Sequence, residues 1–227
     1  MLASTGKQGG ARLVARLVSE LTAATAKLQV HLVGHSAGSI FLAPLADLLS
    51  QGGVAIESCT LWAPACTLEL FKRYYAPAIV KNSIKRFALF TLTDATEQDD
   101  DCANIYHKSL LYLVSNALED KPRVPFFRDG LPLLGMEKYL QKDADFAKLV
   151  AKKRIDWVRA PNTAPNGSAG HSTARHHGDF DDDKPTLVAT LARILDSASS
   201  AEKFVINRSA SSLRNRRQEI GRQEIAV

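Results

Sequence analysis

The sequence predicts an α/β fold, a parallel sheet flanked by helices on both faces. Three observations lead there. Short apolar, β-favouring runs alternate with stretches of helical periodicity along most of the chain. Each strand-like run is bounded by a turn or helix-start signal, as strand-helix units require. The chain has 227 residues, 45% of them apolar and 23% charged, which is enough material for one sizeable core. The length fits one domain or two small ones.

Gly9-Gly10 introduces an amphipathic helix over residues 11–26, with Leu13, Val14, Leu17, Val18 and Leu21 at helical spacing. Leu28 to Val33 reads as a buried strand. Ser39 to Ser50 reads as a helix stopped by Gly52-Gly53. Val54 to Trp62 is a second strand, closed by Ala63-Pro64, and Thr67 to Val80 is helical. Lys85 to Thr93 is a third strand, followed by a helix over Asn104 to Leu118 with Ile105, Leu111, Val114 and Leu118 in register. Residues 119–135 are rich in proline and glycine and read as an ordered loop or lid-like excursion. A weaker helical region spans Gly135 to Lys153, and Arg154 to Ala160 is a fourth strand ended by Pro161. A long polar loop follows over residues 161–183, and Pro185 opens a final helix to Leu195. The domain is placed at residues 1–198, and a basic, flexible tail at 199–227.

The net charge is +5, and three of those charges lie between Ala201 and Val227. The folded part is close to neutral, so no nucleic acid partner is expected. No apolar run approaches the ~20 residues a membrane span needs, and Met1 to Gly10 lacks a basic-then-apolar signal pattern. Cys59, Cys66 and Cys102 are too few and too irregularly spaced for a disulfide framework or a zinc site. Reduced thiols in a cytoplasmic protein are the corresponding expectation.

The strand ending at Val33 runs straight into Gly34-His35-Ser36-Ala37-Gly38, and a helix follows at once. A G-x-S-x-G placed between strand and helix is the setting that gives the motif its meaning. The sharp turn strains the serine backbone and lifts its hydroxyl clear of the sheet. The residues two before and two after must be small because the two backbones come close, and Gly34 and Gly38 meet that need. The amide of Ala37 sits at a helix N-terminus, aimed at a forming oxyanion.

With VHLVGHSAGS as its nucleophile elbow, the chain resembles the α/β-hydrolase superfamily over roughly residues 9–197. The resemblance implies a serine hydrolase acting on a small-molecule ester or amide without a cofactor. It also implies that an acid and then a histidine follow Ser36 along the chain. Of six histidines, His171, His176 and His177 lie in the loop after the fourth strand, where the family places its base. His177 is preferred, because His177-Gly178-Asp179-Phe180-Asp181 is similar to the His-Gly-x-Phe-Asp pattern of several such hydrolases. The acid belongs after the third strand, at Asp94, with Asp99, Asp100 and Asp101 as alternatives. The run Asp179 to Asp183 lacks the glycine and terminal glutamate of an EF-hand loop, so no metal is expected there.

Only 35 residues precede Ser36, and they supply no strand before the elbow. The family has several strands there, with a loop that gives the second oxyanion donor. The sequence is therefore expected to be an N-terminally truncated hydrolase with an incomplete sheet and one oxyanion donor, Ala37. Its first strand becomes an open edge able to take a partner strand or a second copy. The alternative to a working serine hydrolase is a catalytically impaired, hydrolase-like interaction protein. A nucleotide-binding domain fits poorly, since the turn lacks the glycines and lysine of a phosphate loop.

Overall fold

In a computed structural model of the chain, residues 5–6, 9–25, 27–102, 106–120 and 123–196 are described. The tail expected at 199–227 lies outside them. Along the chain the elements are α1 (Gly10–Ala24), β1 (Val30–His35), α2 (Gly38–Gln51), β2 (Ile56–Trp62) and α3 (Leu68–Leu70). A π-helical turn (Phe71–Tyr75) leads into α4 (Ala76–Val80), β3 (Ile84–Leu92) and α5 (Asp94–Asp99). Then come α6 (Leu110–Leu113) with a second π-helical turn (Val114–Leu118), α7 (Glu137–Leu140), α8 (Ala144–Ala151), β4 (Asp156–Ala160) and α9 (Lys184–Leu195).

The four strands form one all-parallel sheet in the order β1-β2-β3-β4. This is the α/β architecture that the alternating pattern predicts. The central strands β2 and β3 are buried along nearly their whole length, which is why they read as unbroken apolar runs. Strand order follows chain order, so crossovers of one hand place their helices on the same face. On that face α1, α2, the Phe71–Tyr75 turn and α8 enclose a core around Leu45, Leu61, Phe71, Tyr75, Phe87 and Phe146. The opposite face is covered by α6 and α9 and by Phe180 of the loop before α9, packed on Trp62, Phe90 and Val158.

Three details differ from the sequence reading. The strand expected at Leu28 to Val33 starts at Val30 and runs on to His35, because pairing with β2 continues as far as His35 against Trp62. The helix expected from Asn104 starts at Leu110, because the Ser109 side chain accepts the Tyr112 amide and caps it there. A separate short helix, α5, follows β3 directly, capped by Thr93. No strand among the described residues pairs with the outer side of β1, which is the edge position expected for it. No helix among them is long and apolar enough to cross a membrane.

Candidate active site

The turn after β1 is tight and strained. Ser36 has φ of +50°, a left-handed conformation that costs a non-glycine residue about 1–3 kcal/mol. Its backbone is held from several sides. The Ser36 amide donates to the Trp62 carbonyl at 2.9 Å, and its carbonyl accepts the Ala65 amide at 3.1 Å. Ser39, fully buried at the start of α2, donates its hydroxyl to the same carbonyl at 2.7 Å and accepts the Cys66 amide at 3.0 Å. Tyr75, on the π-helical turn, donates to the Ser39 carbonyl at 2.7 Å. Ser39 and Tyr75 brace the elbow from beneath. Sequence reasoning missed both, since nothing in the motif points to a hydroxyl brace from another segment.

The two glycines of the motif are not equivalent. A methyl group on Gly34 would lie 2.6 Å from Leu42 Cδ1 and 3.3 Å from the Gly38 carbonyl carbon. On Gly38 it would meet nothing within 4 Å. The close approach is therefore at Gly34, and the expectation that Gly38 must also be small is corrected. The Ala37 amide stands at the N-cap of α2, where the helix leaves N–H groups without helical acceptors.

The loop before α9 brings His177 to this turn. Its Nε2 lies 2.9 Å from the Ser36 hydroxyl oxygen. Asp179 closes the loop by accepting the amides of Arg175 at 2.9 Å and His176 at 2.8 Å, and Phe180 anchors it in the core. Asp183 caps α9 and accepts the Thr173 and Thr186 amides. The aspartates at both ends of the Asp179–Asp183 run thus serve backbone amides. Among the described residues, no group of three or more His, Cys, Asp or Glu side chains is placed to hold a metal ion.

Asp94 does not reach His177. One of its carboxylate oxygens accepts the Tyr112 hydroxyl at 2.7 Å and the other accepts the Gln98 amide at 2.7 Å. The reason is that Asp94 is the first residue of α5 and is carried into that helix's own environment. Six residues of helix advance the chain by about 9 Å. The carboxylate delivered to the histidine loop is Asp100, just past the C-terminal end of α5. It is almost fully buried, accepts the His177 amide at 3.0 Å, and pairs with His176 Nδ1 at 2.7 Å. That contact raises the His176 pKa. Asp101 pairs instead with His107 at 3.1 Å, and Asp99 is exposed at the end of α5.

His35, the variable residue before Ser36, also grips His177. Its Nε2–H donates to the His177 carbonyl at 2.9 Å, and the two rings lie 5.3 Å apart. His171 lies in a different cavity, with Asn166, Lys184 and Val188.

His177 is 7% exposed, and its Nδ1 is buried without a hydrogen-bond partner among the described residues. Burial pushes its pKa down to about 4; the neighbouring His35 adds to this, and Asp100 opposes it. His177 is therefore a neutral imidazole at pH 7. A cleft of about 450 Å³ opens beside it, lined in part by Asp100, Cys102, Leu110, His176 and Gly178. No protein-family model, no curated protein and no solved structure matches the chain.

Proposed function

We propose that the protein is a serine hydrolase of the α/β-hydrolase type, cleaving an ester or amide through an acyl-enzyme on Ser36. The observation that carries this reading is the 2.9 Å approach of His177 Nε2 to the hydroxyl of a strained, strand-to-helix serine. Ser36 Oγ attacks the substrate carbonyl while Nε2 takes its proton. The Ala37 amide donates to the oxyanion. His177 then returns the proton to the leaving group, and water repeats the sequence in reverse to free the acid. Asp100 and His35 hold the histidine loop through the His177 backbone, so Asp100, rather than Asp94, is the carboxylate that positions the histidine loop. The test is turnover of a short p-nitrophenyl ester. Hydrolysis lost in Ser36→Ala supports the proposal, and hydrolysis equal in wild type and Ser36→Ala overturns it.

The second reading, a catalytically impaired hydrolase-like protein, is favoured by the bare Nδ1 of His177. For Nε2 to accept a proton from Ser36, the ring proton must sit on Nδ1, where it has no acceptor in this geometry. A buried N–H without an acceptor is costly, so the favoured tautomer carries its proton on Nε2 and donates to Ser36. A wrong tautomer in a serine triad costs about 10⁴ in kcat. Full activity thus requires the Asp100 carboxylate to move onto Nδ1. Carbon-13 and nitrogen-15 NMR of the His177 ring distinguishes the two tautomers.

A further inference from the structure

The sheet face under α9 turns polar at the end of the strands farthest from Ser36. On β2, Ser58, Thr60 and Trp62 alternate onto this face, and the Trp62 indole N–H donates to Thr190 of α9 at 3.1 Å. In register beside them lie Arg86 and Ala88 of β3 and Asp156 of β4. Ser58, Thr60, Arg86, Ala88 and Asp156, with Arg193 of α9 and the Lys153-Arg154 turn before β4, line a cavity of about 230 Å³. None of the residues placed at the Ser36 site lines it.

Two independent observations point to a ligand. The first is Thr60, which is 1% exposed and lines this cavity, while its Oγ1 has no hydrogen-bond partner among the described residues. A buried hydroxyl left unpaired is destabilising, and valine has the same shape without that penalty. The second is charge. Five cationic side chains line the cavity, Lys85, Arg86, Lys153, Arg154 and Arg193, against one carboxylate, Asp156. Asp156 is held by Arg193, Lys85 by Glu57 and Arg86 by Asp196. Arg154 spends its guanidinium on neutral acceptors, the Ile79 carbonyl and Asn82. No carboxylate pairs with Lys153 or Arg154 among the described residues, so two positive charges stay unneutralised at the cavity.

We infer that this cavity is a binding site for a small phosphate-class anion. A tetrahedral dianion balances the two spare charges and gives the Thr60 hydroxyl an acceptor. The volume suits a single phosphate group, free or carried by a small monoester, and is too small for a nucleotide-sized ligand. Lys153 supplies a point charge and Arg154 a planar fork, a combination suited to phosphate oxygens. The site is independent of the chemistry proposed for Ser36.

The test is thermal unfolding of the full chain against rising inorganic phosphate and, separately, glycerol phosphate, with sodium chloride holding ionic strength constant. A saturable rise of a few degrees beyond the chloride control is expected. Response to both probes identifies a free phosphate site, and response to glycerol phosphate alone identifies a monoester site. Lys153→Gln, on an exposed turn, is expected to weaken the apparent Kd on the order of tenfold. Thr60→Val is expected to weaken it on the same order while raising Tm without phosphate. Ser36→Ala is expected to leave the response unchanged. The inference is overturned if neither probe shifts Tm beyond chloride, or if both cavity variants keep the wild-type response.

Discussion

Ser36 Oγ and His177 Nε2 meet at 2.9 Å across 141 residues of sequence. Two local devices make that meeting. The left-handed backbone at Ser36 turns the hydroxyl off the end of β1, and Asp100 ties down the His177 amide from the far end of α5. Each device can be removed by itself.

The carboxylates Asp94 and Asp100 should separate cleanly on substitution. Asp100→Asn is expected to slow ester hydrolysis by about 10²-fold or more, since the loop loses its anionic anchor and any acid able to reach Nδ1. Asp94→Asn is expected to change activity less than about threefold and to act on stability through Tyr112 and Gln98. Steady-state kinetics with Tm measured in parallel checks both, and the reverse ranking would restore Asp94 as the orienting acid.

The pH dependence of kcat/KM should show an acid limb near pH 4, since burial lowers His177 to about 4 from 6.5. The same shift is a stability term. A depressed folded-state pKa contributes in full above 6.5, and that contribution is lost as pH falls through about 4. An acid limb near 6.5 would mean that the ring is more hydrated, or paired more closely with Asp100, than in this geometry.

Glu97 works in the opposite direction. It is fully buried in α5, with Oε1 unpartnered among the described residues and Oε2 accepting the Ser109 hydroxyl at 2.7 Å. Burial raises its pKa to about 8, against the opposing Ser109 hydrogen bond and with help from Asp100 and Asp94. A raised folded-state pKa means that its contribution is present below about 4.5 and drains away as pH rises through about 8. Glu97→Gln should therefore flatten the fall in stability across that window and leave the variant more stable than wild type above pH 8, read by urea unfolding at several pH values.

The elbow glycines should behave unequally. Gly34→Ala must displace Leu42 and press on the Gly38 backbone, at a cost of about 1–3 kcal/mol with loss of activity. Gly38→Ala has open space and lies in the first turn of α2, so it is expected to be neutral or stabilising by up to about 1 kcal/mol. Calorimetry of both variants checks this, and comparable losses in the two would mean that β1 and α2 approach each other closely at Gly38 as well.

The sheet and the Ser36 turn were legible because their physics is local. Strands buried on two faces are short apolar runs, and few arrangements besides a nucleophile elbow set a serine between glycines at a strand-to-helix turn. The histidine that lies against Ser36 was legible through the resemblance of the segment from His177 to Asp181. The carboxylate that meets the histidine loop was not, because Asp94 stands at the strand end only if no helix follows. Thr93 with Asp94 and Glu97 behind it is a helix-start pattern, and a helix there leaves Asp100, past the far end of α5, to meet the histidine loop. Tyr75, Ser39 and His35 escaped for a different reason. Their roles lie in contacts between segments distant in sequence, or in which way one ring points, and periodicity carries neither.

The most direct measurement is peptide mapping by mass spectrometry after exposing the folded chain to a fluorophosphonate. A single adduct on Ser36, formed at least about 10²-fold more slowly in His177→Gln, is the predicted result. A wild-type chain that stays unlabelled at Ser36, or that labels at an undiminished rate in His177→Gln, would contradict the claim that this serine is activated by this histidine.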